Sequence, residues 1–565
     1  MEHRSPQNPY YKMVHRTIRP TPEQEMNLKL HCSEVPDDPP AMDMGAMRQL
    51  AADASPKLRA NFEYLVQFVE QAEIYERICT ARTERPVDAN VTARDHRKML
   101  DSEKFERQPV GRTPRRYAKV FTVLELRKER RRLILWPWQL NDELKEAMDK
   151  IDMDLKDAAQ QSQDLKPGSW ATCADLVKSF WQCSMSEGVR DYYAYTFEGE
   201  TYRHTVMPMG AVYAPLLLNV ITSILAETKL NVVTHVHVDN VRYVGAKEDV
   251  VAAHKQFVER CAFANVTLGV EQNPQIPGTL LSEAHQLGEF CGTVVNYDTA
   301  KVSLTTAFVE KTHESLTELM RPDSTIHDVQ VCYGRLFYAA RVLQIPLAQF
   351  YLPLKYYRKK MNLFVHQQDQ TAPAHVWNSL HQEFDVWMKI INTNTPVRHH
   401  PNEFRPADAE STVVIATDAS TFGWGAVYFD ERTGVVHSTG GGWESAMTNR
   451  DINHLEVSAV TRALEAFADK LAEAQPSAIV LLVDNTSAIC GFAKQYSSSA
   501  EMNDALTMGL RAIEALPQQT SVFMVYIASG RNPADAPSRG RPLDEELVSE
   551  MGEVGQRLAS ATFSH

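Results

Sequence analysis

Apolar and polar positions recur with two periods along this chain. In residues 57–80, KLRANFEYLVQFVEQAEIYERICT, Phe62, Leu65, Phe68 and Val69 fall at helical spacing, which predicts one amphipathic helix. The residues before it, 1–55, are polar, rich in Pro and Met and weakly periodic, and read as an arm or linker. In YAKVFTVLELRKERRRLILWPWQLND two β-rich runs flank the charged bend RKERR, which predicts a hairpin with a basic tip. Residues 141–165 read as helical, 170–300 as short strands mixed with helices, and 305–395 as mostly helical with aromatic clusters. Within the mixed region, HVHVDNVRYVG (235–245) predicts two short strands with Asp239 and Asn240 forming the bend between them.

A polar, Pro-bearing stretch, TNTPVRHHPNEFRPADAES, then reads as a linker, and the texture changes beyond it. TVVIATDAS, GWGAVYFD and GVVHSTGGGW predict a three-stranded meander. HLEVSAVTRALEAFADKLAEA predicts a long amphipathic helix, and SAIVLLVDN and SVFMVYIAS predict two more strands with a helical stretch between them. Meander, helix, strand, helix and strand make a compact α/β unit.

Composition narrows this picture. A chain of 565 residues predicts three or four domains. With 44% hydrophobic and 23% charged residues it reads as a soluble, globular protein. The most apolar run, AVYAPLLLNVITSILAE, is interrupted by Pro215 and Asn219 and does not read as a membrane span. The N-terminal residues lack the apolar core of a secretory signal, and the eight cysteines show no CxxC pair, so the expectation is an intracellular protein, cytoplasmic or nuclear, with reduced thiols. A net charge of −13 argues against indiscriminate coating of nucleic acid, but it leaves room for a local basic groove. The densest basic patch runs from Arg107 to Arg132.

Four acids of the C-terminal unit flank apolar runs: Asp418 in ATDAS, Glu456 in INHLEVSAV, Asp484 in LLVDNTSA and Asp535 in GRNPADAPSR. Any one of them alone is equally well an ordinary cap or turn residue. Together, carboxylates without nearby bases suit hard divalent cations. Two such ions, about 4 Å apart, activate a water and stabilise a leaving phosphodiester oxygen.

These four segments, in this order and spacing, resemble the ribonuclease H domain of retroelement polyproteins. The resemblance implies cleavage of the RNA strand of an RNA–DNA hybrid, with Asp418, Glu456, Asp484 and Asp535 as catalytic metal ligands. Many relatives carry a His shortly before the last Asp; YIASGRNPAD has none, and the expectation is an altered rate rather than loss.

The upstream region resembles the palm of reverse transcriptases. Asp175, with Phe180 five residues on, fits the first catalytic motif, and MPMGAVYAP fits the next, with Met209 and Asn219 departing from the usual residues. HVHVDNVRYVG stands where the family has Tyr-x-Asp-Asp: Asp239 matches the first Asp, His237 replaces Tyr and Asn240 replaces the second Asp. HQLGEFCGTVV resembles the primer-gripping hairpin. The resemblance implies Asp175 and Asp239 as metal ligands, with Asn240 beside them in the catalytic turn. It implies nucleotide contacts from Lys128, Arg132, Phe180, Met209 and Gly210, and primer contacts from His237, Leu287 and Gly288. A late Lys that the family uses near pyrophosphate has no counterpart in VTLGVEQNPQIPG.

The implied fold class is α/β multidomain: a right-hand polymerase of fingers, palm and thumb or connection, followed by an RNase H-like α/β domain. The divisions are an N-terminal extension, partly helical, at 1–105; fingers and palm at 106–300; thumb or connection at 301–405; RNase H at 406–542; and a C-terminal tail at 543–565. The implied cofactor is Mg²⁺ or Mn²⁺, two ions per active site. The implied partners are an RNA template, a DNA primer, an RNA–DNA hybrid and dNTPs, with no membrane. The overall pattern looks most like tyrosine-recombinase retrotransposons of the DIRS and VIPER-like kind. The first expectation is an RNA-directed DNA polymerase with RNase H. A second is a hybrid-specific ribonuclease or domesticated nucleic-acid-binding protein whose polymerase site is impaired by Asn240, and a third is a non-catalytic scaffold.

Overall fold

The computed structural model describes residues 40–561, apart from 81–84, 126–129, 152, 154, 368, 401–403, 405–410 and 518. The protein is mixed α/β and divides into two compact units, Met1–Ala300 and Lys301–His565. Among the described residues, no helix is long and apolar enough to cross a membrane.

The first unit begins with α1 (Met44–Asp53), where the sequence pattern suggests an arm. Asp43 starts it, its carboxylate accepting from the Gly45 and Ala46 N–H groups. The predicted helix at 57–80 is two helices, α2 (Pro56–Glu70) and α3 (Ala72–Ile78), broken at an extended Gln71. Tertiary contacts make the break: the Tyr75 hydroxyl donates to the Phe68 carbonyl and the Tyr75 ring stacks on Tyr192. After α4 (Ala93–Asp101) and β1 (Phe105–Arg107) comes the predicted hairpin, β2 (Lys119–Glu125) and β3 (Arg130–Trp136); its tip lies outside the described residues. The helix expected over 141–165 is α5 (Trp138–Met148) and a short turn at Ala158–Ser162.

The centre of this unit is an antiparallel sheet in the order β4 (Trp170–Asp175), β8 (Asn240–Gly245), β7 (Val232–His237). It packs on α6 (Ala214–Ala226) and α7 (Lys247–Phe263). Phe62, Leu65 and Phe68 of α2 join Leu217, Ile221, Phe257 and Val241 in the same core, so α2 is part of this core and not an appendage to it. A second core, around Met99, Val120, Leu133 and Tyr195, joins the β2–β3 hairpin to β5 (Ala194–Phe197) and β6 (Glu200–His204). The unit ends in the hairpin β9 (Leu287–Phe290) and β10 (Thr293–Asn296).

The second unit opens with β11 (Lys301–Leu304) and four helices: α8 (Thr306–Leu319), α9 (Ile326–Val342), α10 (Tyr351–Gln367) and α11 (His381–Thr393). Nine residues of the predicted linker, 401–403 and 405–410, lie outside the described residues, and within the linker β12 (Val397–Arg398) pairs with β11. A five-stranded sheet follows, in the order β15 (Val436–Gly442), β14 (Gly423–Asp430), β13 (Thr412–Ala419), β16 (Ala478–Val483), β17 (Ser521–Tyr526). The first three strands form the predicted meander, and β16 and β17 are parallel to β13. All of β13 and β16 is buried, which explains their nearly continuous apolar runs. Helices α12 (Ile452–Ala466), α13 (Ala468–Ala474), α14 (Thr486–Lys494) and α15 (Ala500–Glu514) complete the sequence of elements, and the one-turn α16 (Asp535–Ser538) lies beyond β17.

Away from the sheet ends, the first unit contains a buried ion network. Arg203, about 1% exposed, meets Asp191 at 2.7 Å and Glu106 at 2.7 Å, and Arg112 meets the other Asp191 oxygen at 2.9 Å. Asp191→Ala should destabilise this unit by about 3 kcal/mol, because it removes the carboxylate that Arg112 and buried Arg203 share and leaves Arg203 only partly compensated by Glu106. The measurement is the urea midpoint of the first unit's transition; an unchanged midpoint would show that Glu106 alone suffices.

Candidate active sites

Parallel pairing of β13 with β16 builds the site in the second unit. Thr417 and Val483 are register partners, so Asp418 and Asp484, one residue further along each strand, emerge side by side. Glu456, in the second turn of α12, reaches the same place from above the sheet. Ligand oxygens of Asp418, Glu456 and Asp484 all lie within 4.8 Å of one another. Among the described residues this is the one group of three acidic, His or Cys side chains with that spacing.

Asp418 and Glu456 are each about 4% exposed. Asp418 Oδ2 accepts a hydrogen bond from the Ser538 hydroxyl. Two buried oxygens, Glu456 Oε2 and Asp484 Oδ1, have no hydrogen-bond partner. Buried carboxylate oxygens are rarely left so, and a divalent cation is the partner that three converging carboxylates suit. The donors are all hard oxygens, which favours Mg²⁺ or Mn²⁺ over softer metals.

Gly425 is the register partner of Asp418. A Cβ there would stand 2.3 Å from the Ser538 nitrogen and 2.6 Å from the Ala534 carbonyl oxygen. The absence of a side chain therefore lets α16 lie against the sheet and bring Ser538 to Asp418. Asp535, on the same turn, is not brought into the group of three. Its carboxylate accepts instead from Arg539 Nε at 2.9 Å and from the Arg541 guanidinium.

Desolvation raises the Glu456 carboxyl from 4.5 to about 9, with the Asp484 and Asp418 charges adding to it. Desolvation also raises Asp418 from 3.8 to about 6, against the opposing hydrogen bond from Ser538.

In the first unit, Asp175 ends β4 and its register partner is Asn240, the first residue of β8. His237 pairs with Asn240, so the two-residue turn is Val238–Asp239, one residue earlier than the alternation of side chains suggests. The shift has a visible cause. Val238 takes φ +59°, a costly conformation for a β-branched residue, and its N–H donates to Asn219 Oδ1 at 2.9 Å. The Asp239 carbonyl accepts from the Leu176 N–H, Asp239 Oδ2 from the Ser179 hydroxyl at 2.9 Å, and Asp239 Oδ1 from Asn240 Nδ2 at 3.1 Å. Burial, then the charges of Asp239 and Glu271, raise Asp175 to about 7. Beneath the turn, buried Arg242 bonds His235 Nδ1 at 2.9 Å and lies 4.5 Å from the centre of the Phe290 ring, joining this hairpin to β9.

The other predicted residues are distributed around this turn. Phe180 is half-buried on a short 3₁₀ turn, Ser179–Gln182, and packs on the main core. Gly210 donates its N–H to the Leu135 carbonyl of β3, the strand that carries Arg132, and a Cβ on Gly210 would lie 2.2 Å from that oxygen. Met209 is half-buried beside it. Leu287 and Gly288 sit on β9, facing Asn296 and Val295. Lys128 lies outside the described residues.

Sequence reasoning missed Glu271, Ser538, Arg539 and Arg541. Glu271 stands in VTLGVEQNPQIPG, and with Asn240, Glu289 and Cys291 it lines a cavity of about 410 Å³. The arginines follow Asp535 in the quoted motif, but nothing in their spacing announces an ion pair.

No protein-family model matches the chain, and no curated protein sequence matches it. Solved structures do. A foamy viral protease–reverse transcriptase in complex with double-stranded DNA is 14% identical, with a TM-score of 0.44 over 80% of this chain and 72% of that one. The foamy viral enzyme in complex with an RNA/DNA hybrid is 13% identical, with a TM-score of 0.43 over 79% of this chain and 56% of that one. RNase H1 from the archaeon Halobacterium salinarum is 16% identical, with a TM-score of 0.19 over 25% of this chain and 98% of that one.

The raised carboxyls give a signed pH dependence. Both acids have folded values above their unfolded ones, so the native state holds these protons more tightly. The stability they contribute is full below about pH 4 and is lost as pH rises through about 6 and then about 9. Metal-free protein should therefore melt at lower temperature near pH 8 than near pH 5, and Mn²⁺ should restore a few degrees at the higher pH and little at the lower, because binding displaces protons. Glu456→Gln should flatten the metal-free slope and remove the Mn²⁺ effect; thermal melts of the four combinations check both.

Proposed function

We propose that this protein is an RNA-directed DNA polymerase with ribonuclease H activity, acting through separate carboxylate sites in its two units. The observation that carries the nuclease half is the convergence of Asp418, Glu456 and Asp484, with two buried oxygens lacking any partner. In this reading these three acids, joined by Asp535, hold Mg²⁺ or Mn²⁺, which when bound supplies an activated water and charge neutralisation at the scissile phosphate. The sheet positions the carboxylates, and Ser538 orients Asp418.

For the polymerase half, Asp175 and Asp239 are the residues that would hold the cations between primer and dNTP. The support is their placement, one at a strand end and one in the adjoining turn, with Asp239 raising the carboxyl of Asp175. In the right-hand reading, residues 106–300 supply fingers and palm, 301–405 the thumb or connection, and 406–542 the ribonuclease. Phe180, Met209, Gly210, Arg132 and Lys128 would serve the nucleotide, and His237, Leu287 and Gly288 the primer. The partners are then an RNA template, a DNA primer and the hybrid they form.

A second reading, a hybrid-specific ribonuclease with an impaired polymerase site, is favoured by one observation. Asn240 removes a charge from the turn and also directs its amide N–H at Asp239 Oδ1, an oxygen the cation would need.

Primer extension on poly(rA)–oligo(dT) and hybrid cleavage, each with Mg²⁺ and Mn²⁺, separate the readings. The first expects both activities in the wild type. Asp239→Ala should abolish extension and spare cleavage, and Asp484→Asn should do the reverse, each by at least about a hundredfold, as for a group that stabilises developing charge. Asn240→Asp should increase extension if the amide is what limits it. Extension that survives Asp239→Ala would remove the polymerase assignment, whereas cleavage without extension under either metal would select the second reading.

A further inference from the structure

The fourth acid of the nuclease site is held by cations of the protein itself. Asp535 gives one oxygen to Arg539 Nε and the other to Arg541, while the remaining three acids converge without it. Both arginine side chains are open to solvent, about 48% and 57% exposed, so each guanidinium keeps donors free beyond the carboxylate. Arg539 follows Ser538, whose hydroxyl bonds Asp418, and this places it at the edge of the acid cluster.

Two electrostatic requirements meet here. A phosphodiester approaching four acids in a protein of net charge −13 is repelled unless cations stand at the entrance. A cation entering the cluster gains most from a carboxylate that is not already neutralised. Free donors let the two arginines meet a phosphate, but their charge stays shared with Asp535 until they leave it, and their departure serves the second need.

We propose that Arg539 and Arg541 form a charge latch on the nuclease site: in the free protein they keep Asp535 out of the cation site, and when a nucleic-acid strand docks they transfer to its phosphates and release the carboxylate to the metal. Guanidinium binds carboxylate and phosphate through the same paired donors, so the exchange replaces like bonds with like and needs only rotation of exposed side chains. The latch makes metal loading depend on substrate. It rests on the nuclease reading above.

The test uses the full chain in an Asp239→Ala background, which silences the other acid pair. Mn²⁺ binding without nucleic acid is measured by calorimetry for the parent, Arg539→Ala/Arg541→Ala, Asp535→Asn, and the three changes combined. Removing the arginines should tighten Mn²⁺ roughly tenfold when Asp535 is present and much less when it is Asn, because the gain comes from freeing that carboxylate. Equal tightening in both backgrounds would mean a general charge effect and would overturn the latch.

Affinity for an RNA–DNA hybrid in EDTA is then measured against salt. Loss of the arginines should weaken binding and lower the slope of log K against log salt by about two; an unchanged slope would overturn the transfer to phosphate. The latch fails alone if the parent cleaves hybrid but shows neither coupling nor slope change. If the parent cleaves no hybrid while coupling and slope change both appear, the nuclease reading fails and only the exchange of Arg539 and Arg541 between Asp535 and phosphate stands.

Discussion

Carboxylates buried together repel one another and lose their hydration, and the C-terminal site exists because a backbone ladder holds them there anyway. The parallel register of β13 and β16 fixes Asp418 beside Asp484, and the buried face of α12 presses Glu456 onto both. Burial, then the charges of Asp484 and Asp418, raise the Glu456 carboxyl to about 9. Hydrophobic burial along two fully buried strands keeps the ladder in register, so the core sustains an arrangement its own charges oppose. Much of the nearby local structure follows from this constraint. Gly425 is bare so that α16 can reach the sheet, and Ser538 comes with α16 to satisfy one oxygen of Asp418.

The N-terminal site handles its charge differently. Its acids sit at a strand end and in a turn rather than on paired parallel strands, and each oxygen of Asp239 already has a donor, Ser179 on one and Asn240 on the other. The strain there is in the backbone, at Val238, and Asn219 helps to hold it. The second unit thus leaves two buried carboxylate oxygens, Glu456 Oε2 and Asp484 Oδ1, without a partner, whereas both oxygens of Asp239 in the first unit have donors beside a strained Val238. The unpartnered oxygens of the second unit are the ones a divalent cation would satisfy.

Much of the second unit was legible because its strands and helices differ sharply in period and are separated by polar or Gly-rich turns. The same periodicity misplaced features in the first unit wherever a tertiary contact outweighed it. Gln71 breaks an otherwise periodic helix because Tyr75 bonds back to Phe68 and stacks on Tyr192. Residues 44–53 lack a clear stripe but are helical, capped by Asp43, with Met47 fully buried. The turn at 238–239 sits one residue early because Asn219 and Leu176 bond its backbone, and side-chain alternation carries no record of bonds from distant elements.

The sequence by itself determined the order of the strands in the second unit's sheet domain and the residue types at their ends, because hydrophobic period and turn chemistry are local properties. It located Asp418, Glu456 and Asp484, since each borders an apolar run that must be buried. Only the tertiary structure decided that these three converge while Asp535 is held by Arg539 and Arg541, and that Glu271 stands near Asp175. Which charged groups meet depends on strand register and on backbone approach at a bare glycine, and both are set by packing between segments far apart in the chain.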